Sequence, residues 1–240
     1  MVRAMLFVLS LVCSVVTTVD AGSAFAFAGN LSSDPSNSWL SYALFESGGE
    51  IITQMNATVI VPANPTRERG SDPSFWYGLQ TNAGDGALVQ PILAWNQRDN
   101  GFGVFHEVFD WSEGRDHQSP EHFAVKAGDI LKQSVSYRQA DDSYDMLIYS
   151  EQLQRSLVWN YKLNPRQKAE ETTAYIVVEH QPGNCAEYPA SGGISFKDIY
   201  IEVAGKPVAS PVFTPKQQRP ACSSEAVVID ATAVDLKWTA

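Results

Sequence analysis

The chain has 240 residues and carries 27 acidic against 17 basic side chains, a formal net charge of −10. That balance argues against nucleic-acid binding, which needs a basic stripe, and against attraction to anionic membranes. The acidity reads first as solubility; the sharper alternative is an acidic working environment, in which carboxylates lose their charge.

At the N-terminus, Arg3 precedes an apolar run from Met5 to Val16, followed by the small residues Ala21, Gly22, Ser23 and Ala24. The run is about a dozen residues, too short for a membrane span of roughly 20. It predicts a signal peptide over residues 1–21 and hence a secreted, extracellular protein. A buried helix is the competing reading, and the polar, turn-rich segment that follows speaks against it. No later stretch is apolar enough to span a bilayer, so no stable membrane association is expected. The remaining chain, roughly 215 residues, suits one large all-β domain. We assign a β-sandwich domain to 22–206 and a Pro-rich C-terminal arm to 207–240, and expect a monomer. Asn30-Leu31-Ser32 and Asn56-Ala57-Thr58 are glycosylation sequons, at Asn30 and Asn56.

Helical periodicity is absent. Short alternating runs separated by Gly, Pro, Asn, Asp and Ser clusters predict an antiparallel double-sheet β-sandwich, of the jelly-roll or concanavalin A-like kind. The expected strands are Trp39–Phe45, Ile51–Val61, Ser74–Gln80, Ala87–Asn96, Gly103–Trp111, His122–Lys126, Ile130–Tyr137, Tyr144–Ser150, Ser156–Leu163, Thr173–His180 and Gly193–Val203. A charged loop lies at Arg67–Pro73, turns at Asn82–Gly86 and Asp99–Gly101, and Asn164–Glu171 is the best helix candidate. Alternation assigns faces. Met55, Ala57, Val59 and Val61 point inward, with Gln54, Asn56 and Thr58 outward. Leu88, Gln90, Ile92 and Ala94 share one face, with Val89, Leu93 and Trp95 opposite. Tyr175, Val177 and Glu179 share a face, with Ala174, Ile176, Val178 and His180 opposite.

From Pro207 onward, prolines at 207, 211, 215 and 220 suggest an extended, poorly packed arm, to which Ala226–Ile229 adds an edge strand. Of three cysteines, Cys13 leaves with the signal. Cys185 and Cys222 remain, and in an oxidising route they are expected to bond to each other, the alternative being two buried thiols.

The common catalytic motifs are missing: no Gly-rich phosphate loop, no Gly-x-Ser-x-Gly elbow, no zinc-binding helix. His117 and His122 lie near Glu113, Asp116 and Glu121, a grouping we read as a solvated polar loop rather than a metal site. No metal and no cofactor is expected. His106 and Glu107 are adjacent in a strand, so they point to opposite faces and cannot cooperate directly. Two polar residues interrupt apolar runs, Gln90 and Glu179. A carboxyl group in such a setting is costly to ionise, which suits a general acid/base working in acid; the competing reading puts both on solvent-facing positions of half-exposed strands.

Here a resemblance enters. Phe75-Trp76-Tyr77-Gly78-Leu79, Ala87-Leu88-Val89-Gln90-Pro91, Phe105-His106-Glu107-Val108-Phe109-Asp110-Trp111 and Ala174-Tyr175-Ile176-Val177-Val178-Glu179 resemble, in order and spacing, the motifs of the glutamic peptidases, or eqolisins. The resemblance spans about Trp39 to Val203. It implies a concanavalin-like sandwich, an acid endopeptidase activity on a polypeptide substrate, and a catalytic pair of Gln90 and Glu179. Trp76, Trp95 and Glu107 would line the substrate groove. The chain departs from the family at Ala94, where an acidic residue is common four positions after the glutamine, and it matches the family's Trp-Tyr-Glu-Trp segment only loosely. Two other readings are kept: a carbohydrate-binding, lectin-like module on the same sandwich, with tryptophans stacking on a glycan, and a glycoside hydrolase using Glu107 and Glu179.

Overall fold

The computed structural model describes residues 38–65, 72–81, 86–96, 101–164, 171–181, 185 and 188–239. The expected signal peptide, the sequon at Asn30, most of the charged loop, the turns at 82–85 and 99–100 and the helix candidate at 165–170 lie outside the described residues. Among the described residues no helix is long and apolar enough to cross a membrane.

The strands run in chain order as β1 Trp39–Glu46, β2 Ile52–Ile60, β3 Asp72–Thr81, β4 Ala87–Asn96, β5 Gly101–Asp110, β6 Arg115–Gln118, β7 Phe123–Val125 and β8 Ile130–Arg138. They continue as β9 Ser143–Ser150, β10 Arg155–Lys162, β11 Glu171–Gln181, β12 Gly193–Val203, β13 Lys206–Pro207, β14 Thr214–Gln217, β15 Ser224–Asp230 and β16 Ala233–Trp238. Two eight-stranded antiparallel sheets form. Sheet A has the order β14-β1-β11-β3-β4-β5-β6, with β7 beside β5; sheet B has β10-β9-β8-β2-β12-β16-β15, with β13 beside β12. The expected sandwich is confirmed. Every predicted strand is present, and among the described residues the sequence reading missed β6, β13, β14 and β16.

The faces follow the alternation. Met55, Ala57, Val59 and Val61 join Val89, Leu93, Trp95, Ala174, Ile176 and Val178 in the core between the sheets. A second apolar cluster, Trp39, Trp76, Leu88, Ile92, Ala94, Phe105, Phe109 and Val177, sits on the other face of sheet A. Its members are themselves buried, so this face is a recess rather than an open surface.

The C-terminal segment differs from the arm expected. Val234 and Leu236 are fully buried, and Trp238 stacks on Phe75 and Tyr188 with ring centroids 5.2 and 5.3 Å away. β14 pairs with β1 at the edge of sheet A, and β15 and β16 complete sheet B. The prolines misled the reading because they sit where no ladder donor is missed: Pro207 and Pro215 in short edge strands, Pro211 and Pro220 between strands. The Cys185–Cys222 disulfide is formed, with Cα atoms 4.7 Å apart, and fastens this segment beside Tyr188.

Candidate active site

β-Strand alternation turns Trp76, Gly78, Gln90, Glu107, Tyr175 and Glu179 to the recessed face of sheet A. Two rows of this face matter. The first follows the register Trp39–Glu179–Ser74–Ala94–Gly103 across β1, β11, β3, β4 and β5. The second holds Tyr175 opposite Gly78, and Gln90 opposite Glu107, which is opposite Gln118.

Glu179 is 7 % exposed. The Trp76 indole Nε1–H donates to its Oε2 at 2.8 Å, and the Ser38 hydroxyl donates to its Oε1. Donors to both oxygens fix the orientation of the carboxyl group. Trp39 packs edge-on against Trp76 and Tyr175, with centroids 5.1 and 5.0 Å away, and walls the carboxylate on one side. Ser38 was not nominated from sequence; it precedes the first strand and no motif singles it out.

Gln90 is 2 % exposed, and its Oε1 has no hydrogen-bond partner among the described residues. The side chain lies against Gly78: a Cβ there would come within 3.2 Å of Gln90 Cγ and 3.0 Å of the Val89 carbonyl oxygen. The missing Cβ leaves the space that Gln90 fills. Gln90 and Glu179 therefore share a face, but they are not on neighbouring strands. β3 runs between β4 and β11, and Glu179 is level with Ser74 while Gln90 lies against Gly78, so the two backbones are offset by about 10 Å across the sheet and by four residues, about 13 Å, along it.

Glu107 ties the two rows electrostatically. Burial of its carboxyl group pushes its pKa from 4.5 up to about 8; the amide of Gln118, donating to Oε2 at 2.9 Å, opposes this, and the charges of Asp116 and Glu179 add to it. The group is thus a neutral acid through the acid and neutral range. Strand alternation puts Glu107 and Glu179 on the same face of sheet A.

Of the remaining nominated residues, Trp76 lies on the recessed face, where it donates to Glu179. Trp95 does not. It lies in the core between the sheets, 1 % exposed and 5.2 Å from Phe102. The alternation that aims Gln90 at the recess aims Trp95 away from it. Asn56 stands on the outward side of β2, where Gln54 donates to its Oδ1. His106 points into the core, as expected of a neighbour of Glu107, with its Nε2 3.1 Å from the Leu157 carbonyl oxygen. Asp110, Glu113 and His117 bring potential ligand atoms within 4.8 Å of one another. The Asp110 oxygens, however, already accept from Ser112, Glu113 and Asn164, so Asp110 serves to cap the turn after β5.

Beside Trp39 the same face opens into a pocket of about 510 Å³ between Trp39, Tyr42, Tyr175 and Trp111, rimmed by Gln80 and Lys216. It is wide enough for a side chain and lies within reach of the Glu179 row.

A model of the Peptidase A4 family matches residues 37–234. No curated protein sequence matches the chain. The structure is similar to scytalido-glutamic peptidase with a transition state analog inhibitor, at 14% identity over 84% of this chain and 98% of that one, with a TM-score of 0.62. It is also similar to SCP-B, a member of the Eqolisin family in complex with the tripeptide Ala-Ile-His, at 16% identity, the same coverage and a TM-score of 0.59. Aspergilloglutamic peptidase from Aspergillus niger matches at 17% identity over 70% of this chain and 99% of that one, with a TM-score of 0.53. At these identities the likeness shows a common sandwich.

Proposed function

The chain belongs to the peptidase A4 family, the glutamic peptidases, and on that footing we propose that it is a secreted, acid-acting endopeptidase with Glu179 as general base and Gln90 as oxyanion donor. The observation that carries this reading is the shared recess. A buried carboxylate held by two donors and a buried amide lie on one face, and Glu107 stands opposite the amide.

In this reading Glu179 takes a proton from a water, and the water oxygen bonds to the scissile carbonyl carbon. The carbonyl π electrons move to oxygen, and the Gln90 NH₂ donates to that oxyanion. On collapse the C–N bond breaks, and Glu179 returns its proton to the leaving amine. The two residues stand on separate strands with β3 between them, so the peptide would lie across β3. The Trp39–Tyr42–Tyr175–Trp111 pocket would take one of its side chains. The glycan-binding alternative would have to use Trp111 and Trp159, which are partly exposed, since Trp39, Trp76, Trp95 and Trp238 are buried.

The test is cleavage of a denatured protein by the mature chain between about pH 2 and 5, where carboxyl groups titrate, in the presence of pepstatin-like and metal-chelating inhibitors. Activity that persists there and disappears in both Glu179→Gln and Gln90→Ala supports the proposal. Activity that survives Glu179→Gln rules out this mechanism. No cleavage at all, with binding on a glycan array, would move the assignment to a lectin-like module.

A further inference from the structure

In the β4–β5 ladder Glu107 stands directly across from Gln90, and both point into the recess. Facing residues of an antiparallel pair have Cβ atoms about 4.5–5.5 Å apart, so two side chains of this length reach each other. On its other flank Glu107 meets Gln118 of β6, whose amide donates to Oε2. That contact uses one carboxyl oxygen as an acceptor. Gln90 Oε1, meanwhile, is a buried acceptor without a partner among the described residues. Buried polar atoms are rarely left without a partner, and this one calls for a donor.

We propose that Glu107 is a positioning residue for Gln90: its carboxylic acid donates a hydrogen bond to the Gln90 amide oxygen and so fixes the amide with its NH₂ end toward the bound peptide. The proposal rests on the reading of Gln90 as the oxyanion donor. A primary amide fits a site either way round, since its oxygen and nitrogen ends are nearly the same size, and the hydrogen-bonding character of its neighbour decides between them. A protonated Glu107 offers an O–H and takes the oxygen end. An ionised Glu107 is acceptor-only and takes the NH₂ end, which presents the Gln90 oxygen to the substrate, where it repels the oxyanion. The groups that face Glu107 are Gln90 from β4, Asp116 and Gln118 from β6, and Glu179 from β11; both charged ones are acidic and hold the proton on. His106, next in the chain, points to the core. Glu107 keeps its proton throughout the catalytic cycle.

The experiment compares Glu107→Gln and Glu107→Ala with the wild-type protein. It reads kcat and KM at acid pH and the side-chain amide resonances of Gln90 in ¹H–¹⁵N spectra across the alkaline titration. Glutamine at 107 still accepts from Gln118 and still donates to Gln90, so its kcat is expected within about threefold of wild type. Alanine removes the donor, and kcat is expected to fall by about 100-fold at little changed KM, the scale of losing one oxyanion donor. In wild type the Gln90 amide resonances should shift with a midpoint near the Glu107 value of about 8, and in Glu107→Gln they should not. An alanine variant with kcat within about twofold of wild type, against the loss of that scale, overturns the proposal. So do Gln90 resonances that ignore pH in the wild-type protein. If the wild-type protein cleaves nothing, the peptidase reading fails, and the amide titration by itself decides whether Glu107 orients Gln90. If the alanine variant does not fold, the glutamine variant and the titration carry the test.

Discussion

Trp76 and Glu179 are joined by an indole N–H to carboxylate hydrogen bond of 2.8 Å, across the β3–β11 pair and 103 residues of sequence. Both are buried on the recessed face of sheet A, where the bond works in a low dielectric and holds one carboxylate oxygen still. Phenylalanine at 76 keeps the apolar bulk and removes the donor. Trp76→Phe is expected to fold, to lose roughly 1.5–3 kcal/mol of stability, the scale of a hydrogen bond to a charged group, and to lower kcat/KM by about tenfold or more as Glu179, the proposed general base, loses its orientation. Urea unfolding and steady-state kinetics check both. An unchanged kcat/KM would remove Trp76 from the site.

Gly78 leaves the gap that Gln90 occupies. An added Cβ would meet the Val89 carbonyl oxygen at 3.0 Å and Gln90 Cγ at 3.2 Å, and the first of these contacts is backbone. Gly78→Ala is therefore expected to cost about 1–3 kcal/mol, as overpacking does, and to displace the Gln90 amide. Loss of activity well beyond the loss of folded protein, measured together by circular dichroism and assay, is the expected outcome.

Two adjacent residues give stability opposite pH dependences. Glu107 is raised by burial from 4.5 to about 8. As pH climbs through that window the unfolded chain releases a proton that the folded protein keeps, so the contribution is fully present below about 4.5 and is lost towards 8. His106 is lowered by burial from 6.5 to about 4, against the hydrogen bond to Leu157. As pH falls through that window the unfolded chain binds a proton that the folded protein refuses, so stability is lost from about 6.5 down to 4. Each group sets a slope of at most about 1.4 kcal/mol per pH unit. Urea midpoints across pH should show Glu107→Gln flattening the loss on the alkaline side and His106→Gln flattening the loss on the acid side. The difference from wild type is the measure, because other carboxylates titrate as well.

The Cys185–Cys222 bridge closes a loop with a sequence separation of 37. Loop-closure entropy puts its contribution near 4 kcal/mol. Intact mass should rise by about two hydrogens on reduction, the stoichiometry of one bridge. Cys222→Ser should lower Tm while leaving the fold recognisable, since β14 to β16 are also held by ladder pairing and by Trp238 in the core. Two thiols that alkylate in the unreduced protein would contradict the bridge.

The class of the fold, most strand positions and the face of each side chain were legible in the sequence, because alternation with a period of two is a local property. It needs no knowledge of which strand lies beside which. Thus Gln90 and Trp95 on opposite faces of β4, and His106 and Glu107 on opposite faces of β5, follow from counting residues. The nomination of Trp95 for the groove went against that same count. β16 was missed for a different reason. Its six residues alternate as well as any predicted strand, but the prolines before it suggested a loose arm.

What the tertiary structure alone decided is who stands next to whom. Strand order in sheet A runs β1-β11-β3-β4-β5, so neighbours on the recessed face come from distant parts of the chain, and no periodicity in the sequence encodes that order. Ser38 and Trp76 meet Glu179, Gln118 meets Glu107, and Glu107 stands opposite Gln90, only because ladders fix a register between separate strands. Burial of Glu107 has the same origin. A carboxyl group in a strand has no perturbed proton affinity until other strands exclude water from it and bring a second carboxylate near. Alternation could name the face on which the chemistry lies; register across the sheet decided which side chains share it.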